Sequence, residues 1–336
     1  MRVMRILDSN RFINEKLDIK PVSKTRLAEL RPHKHHPKTK DELVDCILNH
    51  IYDNGIGCDL NDIDVSEITD MYGLFSDNYG FDKFNGDISK WDVSNVRDME
   101  GMFAGSQFNG DISEWNVSNV DNMESMFQRN VDFNGDISKW NVSSVKEMDF
   151  MFKDSSFNGN ISNWNVGSVL SMKEMFMYSQ FNSDISKWNV SNVKSMESMF
   201  SDSIFDKDIS GWDVSSVTNM SYMFNSSKFD KDISKWNVSS VKTMASMFGF
   251  TNFNGDISKW DVSNVENMSY MFSHSKFNGD ISEWDVSSVT TMESMFEDSV
   301  FNGDLSGWNI DNVTNNKNMF RRCPIEKDIK KKPLFF

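Results

Sequence analysis

The chain has 336 residues and a formal net charge of −15, and that charge is unevenly distributed. Residues 1–38 contain ten Lys/Arg and four Asp/Glu, a net of +6, which leaves −21 for the remainder. Because nucleic acids and anionic membranes are bound chiefly through basic groups, the acidic remainder predicts no nucleic-acid partner. No apolar run approaches the length of a membrane span, so no membrane insertion is predicted either. The three cysteines, Cys46, Cys58 and Cys323, predict no disulfide framework.

We interpret residues 1–38 as a basic leader. His33, His35 and His36 lie close together, which is compatible with a metal site. Cysteine or carboxylate partners at ligand spacing are missing, so a solvated basic linker is the favoured interpretation. The first residues lack the apolar core of a signal peptide, and neither a lipid-attachment cysteine nor a wall anchor is recognised. This pattern predicts a cytoplasmic or virion-associated chain unless a non-classical export route is used.

A helix is predicted within residues 39–57. Thr39 and Glu42 have the spacing of a capping box, and Gly55 supplies a stop signal. Apolar residues recur at helical spacing along one face, namely at Leu43, Val44, Ile47, Leu48 and Ile51. One apolar face directly before a repeat array is typical of an N-terminal cap that covers the end of the core.

Residues 58–329 form a tandem repeat, and residues 330–336 form a basic C-terminal tail. The repeats step by 24 residues, with one step of 25, and each is marked by one of the ten tryptophans: Trp91, Trp115, Trp140, Trp164, Trp188, Trp212, Trp236, Trp260, Trp284 and Trp308. A fixed period of this length predicts a solenoid. One degenerate repeat precedes the ten tryptophan-marked repeats, and the last of these is atypical.

Each repeat carries apolar residues at fixed positions, which in the repeat that begins at Trp91 are Val93, Val96, Met99, Met102, Phe103, Phe108 and Ile112. The alternation around Trp91 predicts a short parallel strand. The following positions recur at intervals of three and four, which predicts a short helix with Ser94 as its N-cap. The pair Asn109-Gly110 predicts a turn in which both residues tolerate positive φ.

These elements predict an α/β, leucine-rich-repeat-like solenoid. Strands pair at about 4.8 Å whereas helices pack no closer than roughly 8 Å, so the stack is expected to bend with strands on its concave face and helices on its convex face. The tryptophan column could be an exposed stacking platform, and the methionine stripe could bind a metal. Their positions in the apolar pattern favour burial in the core for both.

The phrase Trp-Asn/Asp-Val-Ser-Asn/Ser-Val-x-x-Met-x-x-Met-Phe resembles the repeat of BspA-type leucine-rich repeat surface proteins and the related mycoplasma lipoprotein-type repeats. The resemblance covers residues 58–329. It implies a leucine-rich solenoid that serves adhesion and protein binding at bacterial or parasite surfaces, and therefore a location at the cell surface.

The repeats do not suggest catalysis. Outside the leader the histidines are His50 and His274, and neither belongs to a repeated column. An enzyme concentrates unusual residues at one site, whereas this array repeats the same residues along its length. We therefore predict that the protein is not an enzyme.

One repeated position could hold a metal. The residue four before each tryptophan is Asp in nine of ten repeats, as at Asp111, with Asn160 as the exception. A column of carboxylates could bind calcium. The favoured alternative is that each Asp accepts backbone N–H groups within its own turn. No cofactor is predicted, and calcium stays open as an alternative.

The predicted protein-binding surface consists of the two columns that flank each tryptophan on the concave face. The column before the tryptophan is mostly Lys, and the column after it contains only Asp and Asn. The candidate residues are Lys90, Asp92, Glu114, Asn116, Lys139, Asn141, Lys187, Asn189, Lys235, Asn237, Lys259, Asp261, Glu283 and Asp285. The alternative is a solvated ladder of weak cross-strand pairs.

The favoured function is a noncatalytic protein-binding or adhesion module that acts as a monomer and binds an unidentified protein partner. The alternative is a structural or assembly scaffold, phage-borne or intracellular, in which the solenoid is a spacer.

Overall fold

The structure is a computed structural model that describes residues 35–334. Most of the predicted leader, including His33, and the last two residues of the tail lie outside the described residues. The described chain is a stack of coils around one continuous apolar core, and each coil is one sequence repeat. We number the coils by their tryptophans, so that coil 1 begins at Trp91 and coil 10 at Trp308. Coil 0 is the degenerate repeat, with Ile63 in place of tryptophan.

An α-helix, α1, spans Lys40–Asn54 at the N-terminal end of the stack. It begins where the Thr39 hydroxyl accepts a hydrogen bond from the Glu42 N–H at 3.3 Å. It ends at Gly55, whose φ of 90° is readily adopted by glycine. Its apolar face lies on the core, with three buried side chains at Leu43, Ile47 and Ile51.

Two short 3-10 helices, at Pro324–Lys327 and Ile329–Lys331, lie at the other end. The side chains of Cys323 and Ile325 are buried there. The Leu305 N–H donates to the Lys331 carbonyl at 2.8 Å, which joins this end piece to the last coils. Burial raises the pKa of the Cys323 thiol to about 11, so it stays a neutral, poorly reactive thiol near neutral pH.

The coils contain neither the predicted strands nor the predicted helices. Within residues 35–334, α1 is the single α-helix, and the extended pairing along the coils consists of isolated parallel bridges. One bridge joins Asp98 to Asn122, and equivalent bridges continue in register from coil to coil as far as Asn315. The repeat solenoid is confirmed, whereas the α/β leucine-rich arrangement is not. The bend of the stack was predicted from unequal spacings of strands and helices. Because the coils contain neither element, that prediction has no remaining basis.

The segment predicted as a helix is instead a hydrogen-bonded ladder between coils. In coil 1 the N–H groups of Met99, Gly101 and Phe103 donate to carbonyls of coil 2 at 3.0, 2.8 and 2.9 Å. The intervening Met102 N–H donates back to the carbonyl three residues earlier at 3.2 Å. We call this stretch, residues 98–105 in coil 1 and its equivalents, the ladder segment. The outward side chains of all ladder segments form the ladder face.

The ladder segments of coils 1–10 have positive φ at two positions each. In coil 1 these are Gly101 and Gly105, with φ of 58° and 64°. Later coils place non-glycine residues there, such as Ser125 at 57°. A side chain in this region costs on the order of 1 kcal/mol. Positive φ was predicted at Asn109-Gly110, but Gly110 does not adopt it; an added Cβ there would lie 2.8 Å from the Phe108 ring.

We expect Ser125→Gly to raise the free energy of unfolding by roughly 0.5–1 kcal/mol, because glycine adopts the required φ without strain. The matched control is Gln128→Gly, three residues on in the same ladder segment, where the structure has no positive φ. That variant is expected to be less stable than the wild type. Urea unfolding followed by circular dichroism measures both. A loss of stability in Ser125→Gly would contradict the ladder geometry.

The core contains the apolar columns that the sequence predicted. All ten tryptophans are buried, with 3–4% of their surface exposed, which confirms the inward orientation. The methionine columns are buried as well. One phenylalanine per coil forms a continuous stack from Phe75 to Phe320, with ring centroids 5.6–5.9 Å apart.

On the tryptophan side, side chains join the coils where strand pairing was predicted. The Trp115 indole N–H donates to the Ile88 carbonyl at 3.1 Å, and the bond recurs for every tryptophan. The Asn119 amide donates to the Ser94 carbonyl at 2.7 Å, so Ser94 is an acceptor here and not a helix cap. Each link satisfies a carbonyl group that no strand partner reaches.

Candidate binding surfaces

The fourteen residues predicted to bind protein, in the columns that flank each tryptophan, are all exposed. Direct pairing between neighbouring coils occurs at Lys139 and Glu114, whose Nζ and Oε1 atoms are 2.8 Å apart. Both side chains are at least 70% exposed, so the pair adds little to stability. The columns are accessible to a partner, and their role in binding stays a prediction.

The restriction of the column after tryptophan to Asp and Asn has a local cause. The Asp92 carboxylate accepts a hydrogen bond from the Ser94 N–H at 3.0 Å, and Asn116 accepts one from Ser118 at 3.2 Å. Only a short side chain with an acceptor oxygen closes such a turn. The uniformity of this column is therefore explained by turn formation, without a ligand.

The aspartate column four residues before the tryptophans has a similar arrangement. The Asp111 carboxylate accepts from the Ser113 N–H at 3.0 Å. Hydrogen bonds from the backbone and hydroxyl of Ser113 lower the pKa of Asp111 below its ordinary value. Asn160, the exception in the column, accepts from Ser162 at 3.1 Å in the same way. An amide can thus replace the carboxylate in this turn, which supports the backbone role weighed against calcium.

The ladder face has a different chemical character. Large apolar side chains of coils 1–9 that are exposed lie in or beside the ladder segments, and none flanks a tryptophan: Val131, Leu170, Tyr178, Tyr222, Phe250, Tyr270 and Val300. Four of them are aromatic. Exposed aromatic residues on a rigid frame are characteristic of protein interaction sites. These positions were predicted to lie on convex helices, whereas the binding surface was predicted on the concave face.

Coils 6–8 form an uncharged section of the ladder face. Residues 219–226, 243–250 and 267–274 contain no Asp, Glu, Lys or Arg. The Phe250 and His274 rings stack there, with centroids 4.4 Å apart and an interplanar angle of 10°. Acidic residues border this section on both sides, at Glu197 and Asp202 in coil 5 and at Glu293, Glu297 and Asp298 in coil 9. Three of these carboxylates form ion pairs, Glu197 with Lys173, Glu297 with Arg321 and Asp298 with Arg322.

Coils 1–3 form an acidic section of the same face. Burial raises the pKa of Glu124, and the neighbouring charges of Glu100, Asp149 and Glu147 raise it further. The pKa of Asp149 is also raised, and burial is the largest cause of that shift. The charged forms of Glu124 and Asp149 are therefore less favourable in the folded chain than in the unfolded chain.

We expect Glu124→Gln to raise the free energy of unfolding at pH 7. Because the folded-state pKa of Glu124 is raised, its ionisation reduces stability as the pH rises through that pKa. Below the ordinary carboxyl pKa both side chains are neutral, so the difference between variant and wild type should vanish. Unfolding measured from pH 3 to pH 8 tests this. Glu114→Gln, at a 73%-exposed side chain, is the control that should show no such gain.

Two shallow depressions lie on the described surface. The first, about 430 Å³, is polar and lies along coils 1–4 between Arg97, Asp121 and Lys146. The second, about 440 Å³, lies beside His50, whose Nε2 is 2.9 Å from the Asp62 carboxylate. Both are open and polar, unlike the enclosed, mostly apolar sites that bind small molecules.

The histidines and cysteines are structural in their contacts. Of the leader histidines, His36 pairs with Asp64 at 2.9 Å and His35 packs edge-on against His50, with ring centroids 5.1 Å apart. The three cysteines are free thiols. Among residues 35–334, no group of three or more His, Cys, Asp or Glu is arranged to hold a metal ion.

Within the same described range, no helix combines the length and the apolar character needed to cross a membrane.

Comparisons with known proteins identify one family. No curated protein and no solved structure matches the chain. The model of the family described as "Mycoplasma protein of unknown function, DUF285" matches three successive, partly overlapping stretches, residues 49–160, 153–251 and 228–332. Together these stretches contain every coil from Ile63 to Trp308, and each stretch spans several coils. The chain belongs to this Mycoplasma repeat family of unknown function.

Proposed function

We propose that the protein is a noncatalytic protein-binding module, with adhesion as the role that its resemblance to BspA-type surface proteins suggests. The observation that supports this best is the distribution of exposed apolar residues. They lie on the ladder face, and they differ from coil to coil while the core columns beneath them stay the same. A frame with constant structure and variable outward residues is how repeat proteins present binding surfaces.

The two surfaces would contribute differently to binding. The exposed aromatic residues of the ladder face can be desolvated by a partner and so can provide affinity. The Lys, Asp and Asn columns beside the tryptophans act through charge and hydrogen bonds, which mainly set association rate and specificity. Both surfaces belong to the proposal, with distinct kinetic signatures.

One six-residue variant tests the tryptophan side. We expect Lys187, Lys235 and Lys259 changed to Ser, together with N189D, N237D and D261N, to weaken the binding of a protein partner that contacts these columns and to change the salt dependence of its association rate. The melting temperature should stay nearly unchanged, because the substituted Asp and Asn side chains retain the oxygen that accepts from the serine two residues on, as in the bond from Ser191 to Asn189 at 3.2 Å. Biolayer interferometry at several salt concentrations measures the rates.

To find the partner for that measurement, the full chain is immobilised and used to capture proteins from a mixture of extracellular and surface proteins. The captured proteins are identified by mass spectrometry, and each candidate is then purified and tested for binding. A stoichiometric complex with a purified protein supports the proposal. If no captured protein binds in purified form, the proposal of protein binding fails.

A structural or spacer role is the second candidate. The observation that favours it is the continuity of the ladder, whose inter-coil hydrogen bonds recur in every pair of coils from coil 1 to coil 10. A spacer would tolerate substitution of both surfaces without loss of its function, provided that the stack stays folded. The surface variants therefore discriminate between the two functions.

A further inference from the structure

In the uncharged section of the ladder face one small residue lies between two tyrosines of the neighbouring coils, and we call its position the gap. Tyr222 in coil 6 and Tyr270 in coil 8 occupy the same position of the ladder segment and are 44% and 38% exposed. Ser246, the equivalent residue of coil 7, lies between them and is only 5% exposed. Two large side chains thus flank a small, buried one.

The backbone at the gap is held by hydrogen bonds between coils. The backbone N–H of Tyr222 donates to the Ala245 carbonyl, and the backbone N–H of Ser246 donates to the Ser269 carbonyl, both at 2.8 Å. Ala245 is 8% exposed and Gly249 is buried, so no long side chain rises between the rings. Two ladder steps of about 4.8 Å separate the tyrosine backbones by roughly 10 Å. That spacing admits one flat group or one methylene chain.

The charges around the gap favour a cation. The repeats and tail carry a net charge of −21 once the +6 of residues 1–38 is set aside. Glu293 borders Tyr270, and its carboxylate accepts from the neutral Asn315 amide at 3.0 Å. Asp202, on the coil 5 side, accepts from the neutral Ser201 hydroxyl at 2.9 Å. The recorded donor to each carboxylate is thus a neutral group and not a cation.

We propose that coils 6–8 of the ladder face bind a basic protein segment, with an Arg or Lys side chain in the gap over Ser246 between the Tyr222 and Tyr270 rings. The rings attract the cation through their faces, and the aliphatic stem covers the small residues at the gap. Glu293 and Asp202 meet the positive charges that flank it. Phe250 supplies the apolar contact beside the gap. This inference rests on the proposed protein-binding function and names the partner's chemistry.

The coils provide conservative variants for the test. Serine occupies the position of Tyr222 and Tyr270 in coils 5, 7 and 9, at Ser198, Ser246 and Ser294. Tyr222→Ser with Tyr270→Ser therefore places a residue that the fold already accepts at this position. The matched control is Tyr178→Ser in coil 4, an exposed tyrosine outside the gap. A second variant, Ser246→Lys, places a long side chain in the gap. Glu174 occupies the same position in coil 4, which shows that the fold accepts a long side chain there.

The probe is a fluorescein-labelled eight-residue peptide of alternating Arg and Ser, titrated into the full chain and followed by anisotropy. We expect the double variant and Ser246→Lys each to weaken binding about tenfold. Tyr178→Ser should bind as the wild type does, and a Glu/Ser peptide should not bind. Thermal unfolding confirms that each variant is folded.

Several results would overturn the inference. They are unchanged binding in both gap variants, an equal loss in Tyr178→Ser, and displacement of the peptide by a neutral oligosaccharide, which would assign the gap to sugars. Concentration-dependent dimerisation that the double variant abolishes would assign the gap to a second copy of the chain. A purified protein partner that binds the double variant as tightly as the wild type would refute this inference and leave the proposed function standing. The proposed function fails separately, when no purified partner binds at all.

Discussion

Trp188→Ala is expected to lower the free energy of unfolding by about 3–5 kcal/mol, the range for truncating a large buried aromatic residue. Trp188 is 3% exposed in coil 5, and its ring lies 6.3 Å from that of Phe176 in the preceding coil. Its indole N–H donates to the Ile161 carbonyl at 3.0 Å. Alanine removes the ring contacts and also leaves that buried carbonyl without its donor, and both losses have the same sign.

Trp188→Phe separates the two contributions. Phenylalanine keeps an apolar ring in the column but cannot donate to the Ile161 carbonyl, so a smaller loss of roughly 1–3 kcal/mol is expected. Lys187→Ala, at the exposed neighbour, should be neutral. Urea unfolding monitored by circular dichroism gives the three free energies without relying on tryptophan fluorescence. Wild-type stability in Trp188→Ala would show that the tryptophan column does not support the core.

The repeat and its buried columns could be predicted because burial acts on every coil in the same way. A core residue is removed from water in each repeat, so tryptophan, valine, methionine and phenylalanine recur at a fixed period. The period therefore reports which side of the chain faces inward. It does not report the backbone conformation that turns the side chains inward.

The predicted helix illustrates that limit. Val96, Met99, Met102 and Phe103 have intervals of three and four, which a helix also produces. The ladder segment produces the same intervals because alternate N–H groups bond back three residues, as Met102 does to Met99. Periodicity cannot distinguish the two, since the side chains face the core at the same positions in both.

A weak signal for the ladder is present in the glycines. Gly73, Gly101 and Gly105 stand at positive-φ positions of coils 0 and 1. Later coils place non-glycine residues at the equivalent positions, such as Ser125, Glu174 and Tyr222, where φ stays near 55°. The inter-coil hydrogen bonds impose this conformation on residues that do not favour it. In most coils, therefore, the residues at these positions do not favour the ladder conformation by themselves. The contacts between coils determine that conformation.

The same limit applies to the candidate binding surfaces. Exposure of the columns beside tryptophan followed from their polar composition. Their uniformity looked like a ligand surface, yet it reflects local turns such as that between Asp92 and Ser94. The aromatic ladder face was missed because its residues, such as Tyr222 and Phe250, vary from coil to coil and form no column. A binding surface built on variable positions leaves no periodic trace in one sequence.

The second large effect is expected at the N-terminal end of the stack. Removing residues 1–57 deletes α1 and exposes the apolar side chains of coil 0, where Leu60, Ile63 and Val65 are at most 2% exposed. An uncovered solenoid end presents both unpaired backbone groups and a cross-section of the core. We expect the fragment 58–336 to aggregate, as measured by size-exclusion chromatography with light scattering.

Removing residues 1–38 should leave the remaining chain folded and monomeric. That deletion keeps α1 and the ion pair between Lys40 and Asp70 at 3.3 Å. It removes the bridge between His35 and Ile63 and exposed ion pairs such as Lys38 with Glu67 at 3.5 Å, so a modest loss of stability without loss of the fold is expected. A point variant of the full chain provides an independent check. Ile47→Asp places a charge on the 0%-exposed face of α1 and should mimic loss of the whole cap, whereas Asp53→Ala on the exposed side should not. A soluble, monomeric fragment 58–336 together with a stable Ile47→Asp variant would mean that α1 does not cap the stack.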